Sequence, residues 1–280
     1  MKLFTTARDL TQYLDQERAV GKKIGFVPTM GALHAGHLSL IDLARERSEI
    51  VVASIFVNPT QFNDPADLEK YPRPKEQDIE KLTRAQCDVL FMPEVREMYT
   101  EPNEHWHLDL KGLDGILEGK SRTGHYQGVT QIVKKLFDLV DPDFAFFGQK
   151  DYQQFRVVEQ MVNHFQLKTQ LVMCPIIREA DGLAMSSRNV HLSPEEHQNA
   201  LALSRVLHQA QADFADKSLM EIREEAIRQL TSSPGIDLQY FEICDGATLL
   251  PVDTKDARSI VALVAARVGQ TRLIDNIILK

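Results

Sequence analysis

The segment that decides the fold is IGFVPTMGALHAGH, residues 24–37. Its apolar start predicts a short buried strand that ends at Pro28, and its end predicts a helix that begins near Gly36. In a sheet of parallel strands, ligands bind where such a strand gives way to a helix. The free N–H groups and partial positive charge of a helix start suit a phosphate. Gly31 and Gly36 would let the backbone approach that phosphate closely.

His34 and His37 are three residues apart, so both imidazoles can lie on one side of the first helical turn. Two donors placed there would stabilise the charge that builds up on an α-phosphate and on leaving pyrophosphate. The plainest alternative is a tight turn with two surface histidines. A zinc pair is a second alternative, but zinc sites normally need a third protein ligand and no obvious one follows. Two histidines, two glycines and a strand–helix junction together favour phosphate binding.

Predicted strands and helices alternate outward from this segment. The predicted helices are 6–20, 36–43, 75–85, 128–140 and 151–165, and the predicted strands are 22–28, 50–57, 88–92, 143–147 and 168–174. This order predicts an α/β fold with a parallel sheet and right-handed crossovers. After Pro175 the pattern changes to a helix over 193–211, a second helix opened by a Ser218–Glu221 capping box, and strands over 238–244, 259–266 and 271–278. Consecutive strands joined by short turns predict a small antiparallel sheet, so we expect two domains, residues 1–175 and 176–280.

The composition is that of an ordinary globular protein, with 43% hydrophobic and 26% charged residues in a chain of 280. A formal net charge of −8 repels nucleic-acid phosphates, so we expect no nucleic-acid partner. The three cysteines are far apart and form no C-x-x-C pair, which disfavours a disulfide framework and fits a reducing compartment. With no signal-peptide pattern and no apolar run of roughly 20 residues, we expect a cytoplasmic protein without a membrane partner.

Three further motifs carry groups that suit a nucleotide or a small polar substrate. MSSRN (185–189) offers two hydroxyls and an Arg that can wrap a triphosphate, although a polar surface loop looks the same. FGQKD (147–151) offers a glycine, a Lys for a phosphate and an Asp for a helix cap or a ribose, and alone it is as well explained by an ordinary strand–turn–helix junction. VNPTQF (57–62) places two neutral amides after a strand, although Asn-Pro is also a plain turn signal.

One segment imitates a nucleotide-binding loop. GILEGKS (115–121) has three residues between its glycines, where the P-loop pattern needs four. A G-x-G-x-x-G fingerprint is also missing, which disfavours a dinucleotide dehydrogenase.

Six segments, in order along the chain, resemble the pantothenate synthetase family of the H-x-G-H nucleotidyltransferase superfamily. They are residues 28–38, 57–62, 71–73, 122–125, 148–151 and 178–189. Two small departures are Gln149, where many members carry Glu, and Pro74, where Thr is common. The resemblance extends over nearly the whole chain. It implies a Rossmann-like first domain, a smaller α+β domain that acts as a lid, and a homodimer.

The resemblance implies a two-step reaction in which ATP converts pantoate to pantoyl adenylate and β-alanine then displaces AMP. Magnesium would be required, with Asp78 as its ligand. The implied catalytic residues are His34, His37, Lys150 and Arg188. The implied ATP contacts are Met30, His34, Gly36, His37, Gly148, Gln149, Lys150, Asp151, Ile177, Met185, Ser186, Ser187 and Arg188. The implied contacts for pantoate and β-alanine are Met30, Asn58, Gln61, Val129, Phe147 and Gln154.

Two other functions compete with this interpretation. A nucleotidyltransferase that leaves the nucleotide on its product would share the histidine motif, but the Asn58–Gln61 segment and the second domain favour the ligase. A non-catalytic nucleotide-binding regulator could keep the glycines and lose His37 and Lys150. Both residues are present, so this function ranks last.

Overall fold

The structure is a computed structural model that describes residues 1–63, 68–69, 71–100 and 105–280. The chain divides into two compact units. The first contains residues 1–148 and 153–174, and the second contains residues 149–152 and 175–280. Among the described helices, none is both long and apolar enough to cross a membrane.

The first unit is built on a six-stranded parallel sheet in the order β1-β4-β3-β2-β5-β6. The strands are β1 (Lys2–Phe4), β2 (Ile24–Thr29), β3 (Ile50–Ile55), β4 (Val89–Phe91), β5 (Phe144–Gly148) and β6 (Gln170–Cys174). The helices are α1 (Ala7–Ala19), α2 (Ala35–Arg45), α3 (Lys75–Arg84), α4 (Val95–Met98), α5 (Leu117–Ser121), α6 (His125–Val140) and α7 (Tyr152–His164). The prediction of a parallel α/β sheet with flanking helices is confirmed.

The sheet is apolar on both faces, as its parallel strands require. All six residues of β3 are buried. Neighbouring residues of β2 point to opposite sides. Val27 belongs to the core cluster with Ile41 of α2 and Leu82 of α3, whereas the Phe26 ring packs 6.1 Å from that of Phe137 on α6. Helices therefore cover both faces of the sheet. A ligand can then reach the sheet at the carboxyl ends of its strands.

The second unit contains an antiparallel sheet in the order β7-β8-β9, with strands β7 (Ile236–Asp245), β8 (Ile260–Val268) and β9 (Thr271–Ile278). Its helices are α8 (Pro194–Asp213) and α9 (Leu219–Ser232), and apolar side chains of both join those of the sheet in one core. The predicted capping box of α9 is confirmed, because Ser218 Oγ accepts from Glu221 N–H and Glu221 Oε2 accepts from Ser218 N–H. The predicted antiparallel sheet is confirmed as well.

The sequence did not predict the short helices α4 and α5, the edge strand β1 or the grouping of residues 149–152. The edge strand β1 has only three residues, too few to show a periodic pattern, and it forms by pairing with β4. Residues 149–152, which we placed in the first domain, group with the second unit. There, Asn276 Nδ2 donates to the carbonyls of Gln149 and Lys150 at 2.9 Å, and the Tyr152 hydroxyl donates to the carbonyl of Gly246.

The cysteines are free and buried. Burial raises the pKa of Cys87 and Cys174 to about 11 and that of Cys244 to about 12. The thiols therefore stay protonated at neutral pH and behave as core side chains.

Gly128→Ala tests how closely α6 approaches the 3-10 turn Pro59–Gln61. A Cβ on Gly128 would lie 2.8 Å from Gln61 Cα and closer still to the Thr60 carbonyl. Alanine is favoured over glycine in a helix by about 1 kcal/mol, yet this clash should reverse the sign and destabilise the protein by about 1–3 kcal/mol. Urea unfolding measures the change. The control Gly115→Ala meets its nearest atom at 3.6 Å and should be near neutral. Equal behaviour of the two variants would contradict the close approach.

Candidate active site

The loop that joins β2 to α2 is here called, together with the first turn of α2, the histidine loop (residues 30–37), and it lies at the carboxyl edge of the parallel sheet. Gly31 and Ala32 both have left-handed backbones, with φ of 82° and 51°. The left-handed conformation costs a residue with a Cβ about 1–2 kcal/mol, so contacts of the loop must compensate at Ala32. His34 is the N-cap of α2, and His37 lies in the first turn of that helix.

The two imidazoles of the loop cap the helix and hold one another in place. His34 Nδ1 accepts from the Gly36 N–H at 3.2 Å, and His37 Nδ1 accepts from the His34 N–H at 3.3 Å. The ring centroids lie 4.1 Å apart. A nitrogen that accepts a hydrogen bond carries a lone pair, so the proton of each neutral ring is assigned to Nε2. Both rings therefore carry an Nε2–H donor at the start of a helix.

A second cluster lies next to β3 and contains Met30, Asn58 and Gln61. Gln61 is buried, its Nε2 lies 2.7 Å from Met30 Sδ, and its Oε1 accepts from Asn58 Nδ2 at 3.2 Å. Asn58 is only 1% exposed. Its Nδ2 also donates to the Gly128 carbonyl, and its Oδ1 accepts from the Tyr99 hydroxyl. The geometry thus makes Asn58 a residue that orients Gln61.

Segment 122–125 is held against this cluster. His125 is buried, and its Nδ1 donates to the carbonyl of Gln61 at 2.8 Å. Asn63 Nδ2 donates to the Thr123 carbonyl at 2.6 Å. Two of the six segments singled out in the sequence are therefore in direct contact. Their contact fixes the backbone of the turn that carries Gln61.

The remaining predicted residues of the first unit lie on three elements. Val129 is buried and follows Gly128 on α6, next to the turn that holds Gln61. Phe147 is buried near the end of β5, and a Cβ on the following Gly148 would meet no atom within 4 Å. Gln154 is half-buried in the first turn of α7.

A cavity of about 520 Å³ opens at the carboxyl ends of β2, β3 and β4. Its wall includes Met30, Gly31, Val57 and Asp78, and Lys75 lies at the same cavity. Its position agrees with the rule that ligands bind outside the carboxyl ends of parallel strands.

Asp78 does not have the surroundings of a magnesium ligand. It is 1% exposed, and its two oxygens accept the N–H groups of Ala32 and Leu33 at 2.8 Å each. Magnesium requires near-octahedral oxygen ligands and usually keeps several waters. Among the described residues, the only group of three His, Cys, Asp or Glu side chains close enough to share an ion is Glu179, Asp181 and His197, which does not include Asp78.

That group connects the loop after β6 to α8. His197 Nε2 lies 2.7 Å from Asp181 Oδ2, and this hydrogen bond lowers the pKa of Asp181. Glu179 accepts from Asn189 Nδ2 at 2.6 Å. The Glu179–Asn189 bond joins the two ends of the hairpin of residues 177–189, and the Asp181–His197 bond connects the hairpin to α8.

The Ser-Ser-Arg segment lies at the end of this hairpin. The N–H of Met185 donates to the Ile177 carbonyl, so these two predicted ATP contacts are neighbours. Ser186 and Ser187 are half-buried, and Arg188 is exposed, with its N–H donating to Ser186 Oγ. At the base, Arg178 forms a two-pronged ion pair with Asp275 of β9, at 2.7 and 3.1 Å.

The turn Gln149–Asp151 also belongs to the second unit. Asn276 of β9 is 2% exposed, accepts from Gln149 Nε2 at 3.1 Å and donates to the carbonyls of Gln149 and Lys150. The Lys150 side chain is 17% exposed, with its Nζ 3.9 Å from Asp151 Oδ1. The backbone of this turn is therefore fixed, and the ammonium makes a long contact with its neighbour's carboxylate.

A family model for pantoate–β-alanine ligase matches residues 2–278. The chain belongs to this family. The family's reaction is the ATP-dependent formation of pantothenate from pantoate and β-alanine, and the chain is such a ligase. The interpretation drawn from the six sequence segments is confirmed.

Relatives of pantoate–β-alanine ligase type match the chain from end to end. A pantothenate synthetase of Thermotoga petrophila is 47% identical over 281 residues, covering 100% of both chains. One of Porphyromonas gingivalis is 46% identical over 278 residues, covering 99% of each. The crystal structure of pantothenate synthetase from Thermus thermophilus superimposes with a TM-score of 0.93 at 41% identity, covering 100% of this chain and 99% of that one. A Francisella tularensis ligase, complexed with β-γ ATP and β-alanine, superimposes with a TM-score of 0.81 at 34% identity, covering 100% and 98%.

Several residues that shape the site of this ligase were missed in the sequence. Tyr99 and His125 lie in segments without regular periodicity. Lys81 and Asp275 look like ordinary surface charges of a helix and a strand. In the structure Lys81 Nζ donates to the Leu33 carbonyl at 2.6 Å. His125 stands in segment 122–125, which was singled out in the sequence without a role for this residue. Asp275 breaks the apolar run of β9, and a buried acid in such a strand predicts a basic partner.

Asp275→Asn tests the ion pair at the base of the hairpin. The aspartate is 3% exposed, and losing its charge leaves the Arg178 guanidinium without its charged partner, while its bonds to the Gly182 carbonyl and Ser204 Oγ remain. Breaking one side of a buried pair costs about 3–5 kcal/mol, and the retained amide oxygen should keep this change near the lower bound. Urea unfolding gives the value, with Asp237→Asn on the exposed side of β7 as control. A loss below about 1 kcal/mol would show that the pair does not hold the hairpin.

Proposed function

We propose that this ligase works through a pantoyl-adenylate intermediate. The pantoate carboxylate attacks the α-phosphorus of ATP, and the bond from that phosphorus to the bridging oxygen breaks as pyrophosphate leaves. The neutral amine of β-alanine then attacks the acyl carbon, AMP leaves with the bonding electrons, and the amine loses a proton. The first step needs no general base because a carboxylate is already the nucleophile, so alignment and charge stabilisation supply the catalysis.

The observation that supports this proposal is the pair of Nε2–H donors on His34 and His37 at the start of α2. Nδ1 of each ring accepts a backbone N–H, so the ring proton is on Nε2 before ATP binds. The tautomer that donates to a phosphate therefore does not have to form during binding. Preorganised donors stabilise developing phosphate charge without reorganisation during the reaction. We assign the two histidines to the phosphates around the reacting phosphorus.

The other proposed phosphate ligands belong to residues 149–151 and 185–188. Lys150 and Arg188 are the proposed cationic catalytic residues, and the hydroxyls of Ser186 and Ser187 add neutral donors. The further proposed ATP contacts are Met30, Gly36, Gly148, Gln149, Asp151, Ile177 and Met185. The fixed backbone of residues 149–151 and of the 177–189 hairpin supports these assignments, because the backbone that carries these side chains is in place before ATP binds.

We place pantoate beside Gln61. Its amide is held by Asn58 and Met30, so it is oriented before substrate arrives. Val129, Phe147 and Met30 are the proposed apolar wall, and Gln154 is the second proposed amide. Asn58 contributes by orienting Gln61, since its own amide is already bonded on both sides.

The proposal also covers the compartment, the oligomeric state and the metal requirement of the ligase. We propose a cytoplasmic homodimer that takes ATP together with magnesium. The geometry of Asp78 favours a metal that is bound by the phosphates of ATP over one held by this side chain.

The competing function is a nucleotidyltransferase that stops at an adenylated product. Incubation with ATP, magnesium, pantoate and β-alanine separates the two. The ligase releases AMP and pantothenate in equal amounts. Pyrophosphate without AMP would favour the transferase.

His37→Ala should lower pantoate-dependent pyrophosphate release by on the order of 10²–10³-fold, because it removes one donor to the developing charge. Pyrophosphate release in the pre-steady state measures the adenylation step. His107→Ala, an exposed histidine of the same unit, is the matched control and should keep normal rates. Activity of the His37 variant within tenfold of the unchanged protein would remove this residue from the chemistry.

Gln61→Ala should weaken the use of pantoate far more than the binding of ATP. One or two lost hydrogen bonds in a buried site cost roughly 1–3 kcal/mol, which corresponds to about a 5- to 150-fold rise in the KM for pantoate. Calorimetric titration of ATP and a pantoate saturation curve provide the comparison, with exposed Gln77→Ala as control. A loss of ATP affinity with an unchanged response to pantoate would mean that the two sites are reversed.

A further inference from the structure

Two side chains of α3 bind the histidine loop and have no part in the proposed chemistry. Asp78 Oδ2 accepts the Ala32 N–H and Oδ1 accepts the Leu33 N–H, both at 2.8 Å. One turn further along the helix, Lys81 Nζ donates to the Leu33 carbonyl at 2.6 Å. Three hydrogen bonds from one helix thus fix two consecutive residues of the loop.

The loop conformation explains why a carboxylate stands there. The successive N–H groups of Ala32 and Leu33 point toward one carboxylate, and successive backbone N–H groups arranged in this way in a turn form a small anion-binding concavity. The Asp78 carboxylate occupies that concavity, with both oxygens bonded and the side chain 1% exposed. The loop passes so close that a Cβ on Gly31 would lie 3.0 Å from Asp78 Oδ2. The strained backbone at Ala32 persists because its surroundings hold it.

Leu33 transmits this arrangement to the histidines. Its N–H binds Asp78, its carbonyl binds Lys81, and its side chain is 2% exposed in the sheet core. The next residue is His34, which caps α2 and donates its N–H to His37 Nδ1. A change in the direction of the chain at Leu33 therefore moves the hydrogen bonds that the Nδ1 atoms of both imidazoles accept.

We propose that Asp78, assisted by Lys81, is a positioning residue for the two histidines and not a ligand of magnesium. Its carboxylate holds the Ala32–Leu33 backbone so that His34 and His37 keep their Nδ1 bonds and present Nε2–H. The kinetic part of this proposal rests on the proposed function, whereas the effect on the imidazoles does not depend on it.

Three variants test the proposal. Asp78→Asn keeps the size of the side chain but sets an NH₂ group against one of the two N–H donors. Lys81→Met keeps the apolar stem and removes only the bond to the Leu33 carbonyl, and it serves if the first variant does not fold. Glu76→Gln is the matched control, because it removes an equal charge from an exposed position in the first turn of the same helix.

The first measurement is the ¹⁵N spectrum of the histidine rings in the full chain without substrates, which reports the tautomer and hydrogen bonding at each ring nitrogen. We expect the His34 and His37 signals to shift or broaden in Asp78→Asn and Lys81→Met and to stay in place in Glu76→Gln. Unchanged ring signals in the Asp78 and Lys81 variants would overturn the proposal.

The second measurement is the rate of pantothenate formation as the concentration of free magnesium is varied. We expect kcat to fall on the order of tenfold to a hundredfold in Asp78→Asn and by a smaller factor in Lys81→Met. The KM for pantoate and the magnesium concentration at half-maximal rate should stay within twofold. A raised magnesium requirement in Asp78→Asn would make this residue a metal ligand after all. A wild-type chain that makes no pantothenate would defeat the proposed function instead, and the ring spectra would still decide the role of Asp78.

Discussion

After Thr29 the chain leaves the parallel sheet, and its backbone N–H groups no longer have a neighbouring strand to bond to. Side chains accept hydrogen bonds from five of these N–H groups. The acceptors are Thr29 Oγ1 for Gly31, the two oxygens of Asp78 for Ala32 and Leu33, His37 Nδ1 for His34, and His34 Nδ1 for Gly36. A buried donor without a partner costs about 1–3 kcal/mol, so the acceptors cannot be exchanged freely. Because two of them are the imidazoles, the same bonds that complete the fold also orient the groups proposed for catalysis.

Side-chain hydrogen bonds also hold the chain where it leaves the next strand, β3. After β3 the chain forms a short turn, and Asn58 bonds to Gln61, Tyr99 and the Gly128 carbonyl from its single amide. Gly128 permits the close approach that makes this possible. The side chain that we propose binds pantoate, Gln61, is thereby held by Asn58. These contacts explain how the neutral amide of Gln61 can be held in one orientation without an ion pair.

The second unit is pinned in a comparable way. Asn276 fixes the backbone of Gln149 and Lys150, and the Arg178–Asp275 pair fixes the base of the hairpin that carries the Ser-Ser-Arg segment. Asn276 and Asp275 both lie on β9. One buried edge of a small sheet thus sets the conformation of two segments that the family resemblance links to ATP.

The sequence by itself determined the elements and their order. The apolar run of β3, the capping residues of α9 and the spacing of His34 and His37 are local patterns, and local patterns follow from the periods of helices and strands. Only the tertiary structure decided which polar side chains support the site. Asp78 lies 46 residues from Ala32, Asn58 lies 70 from Gly128, and Gln149 lies 127 from Asn276. The local sequence does not predict such partners. A hydrogen bond between distant residues depends on where the packed core places the two chain segments, and not on the sequence neighbours of either residue.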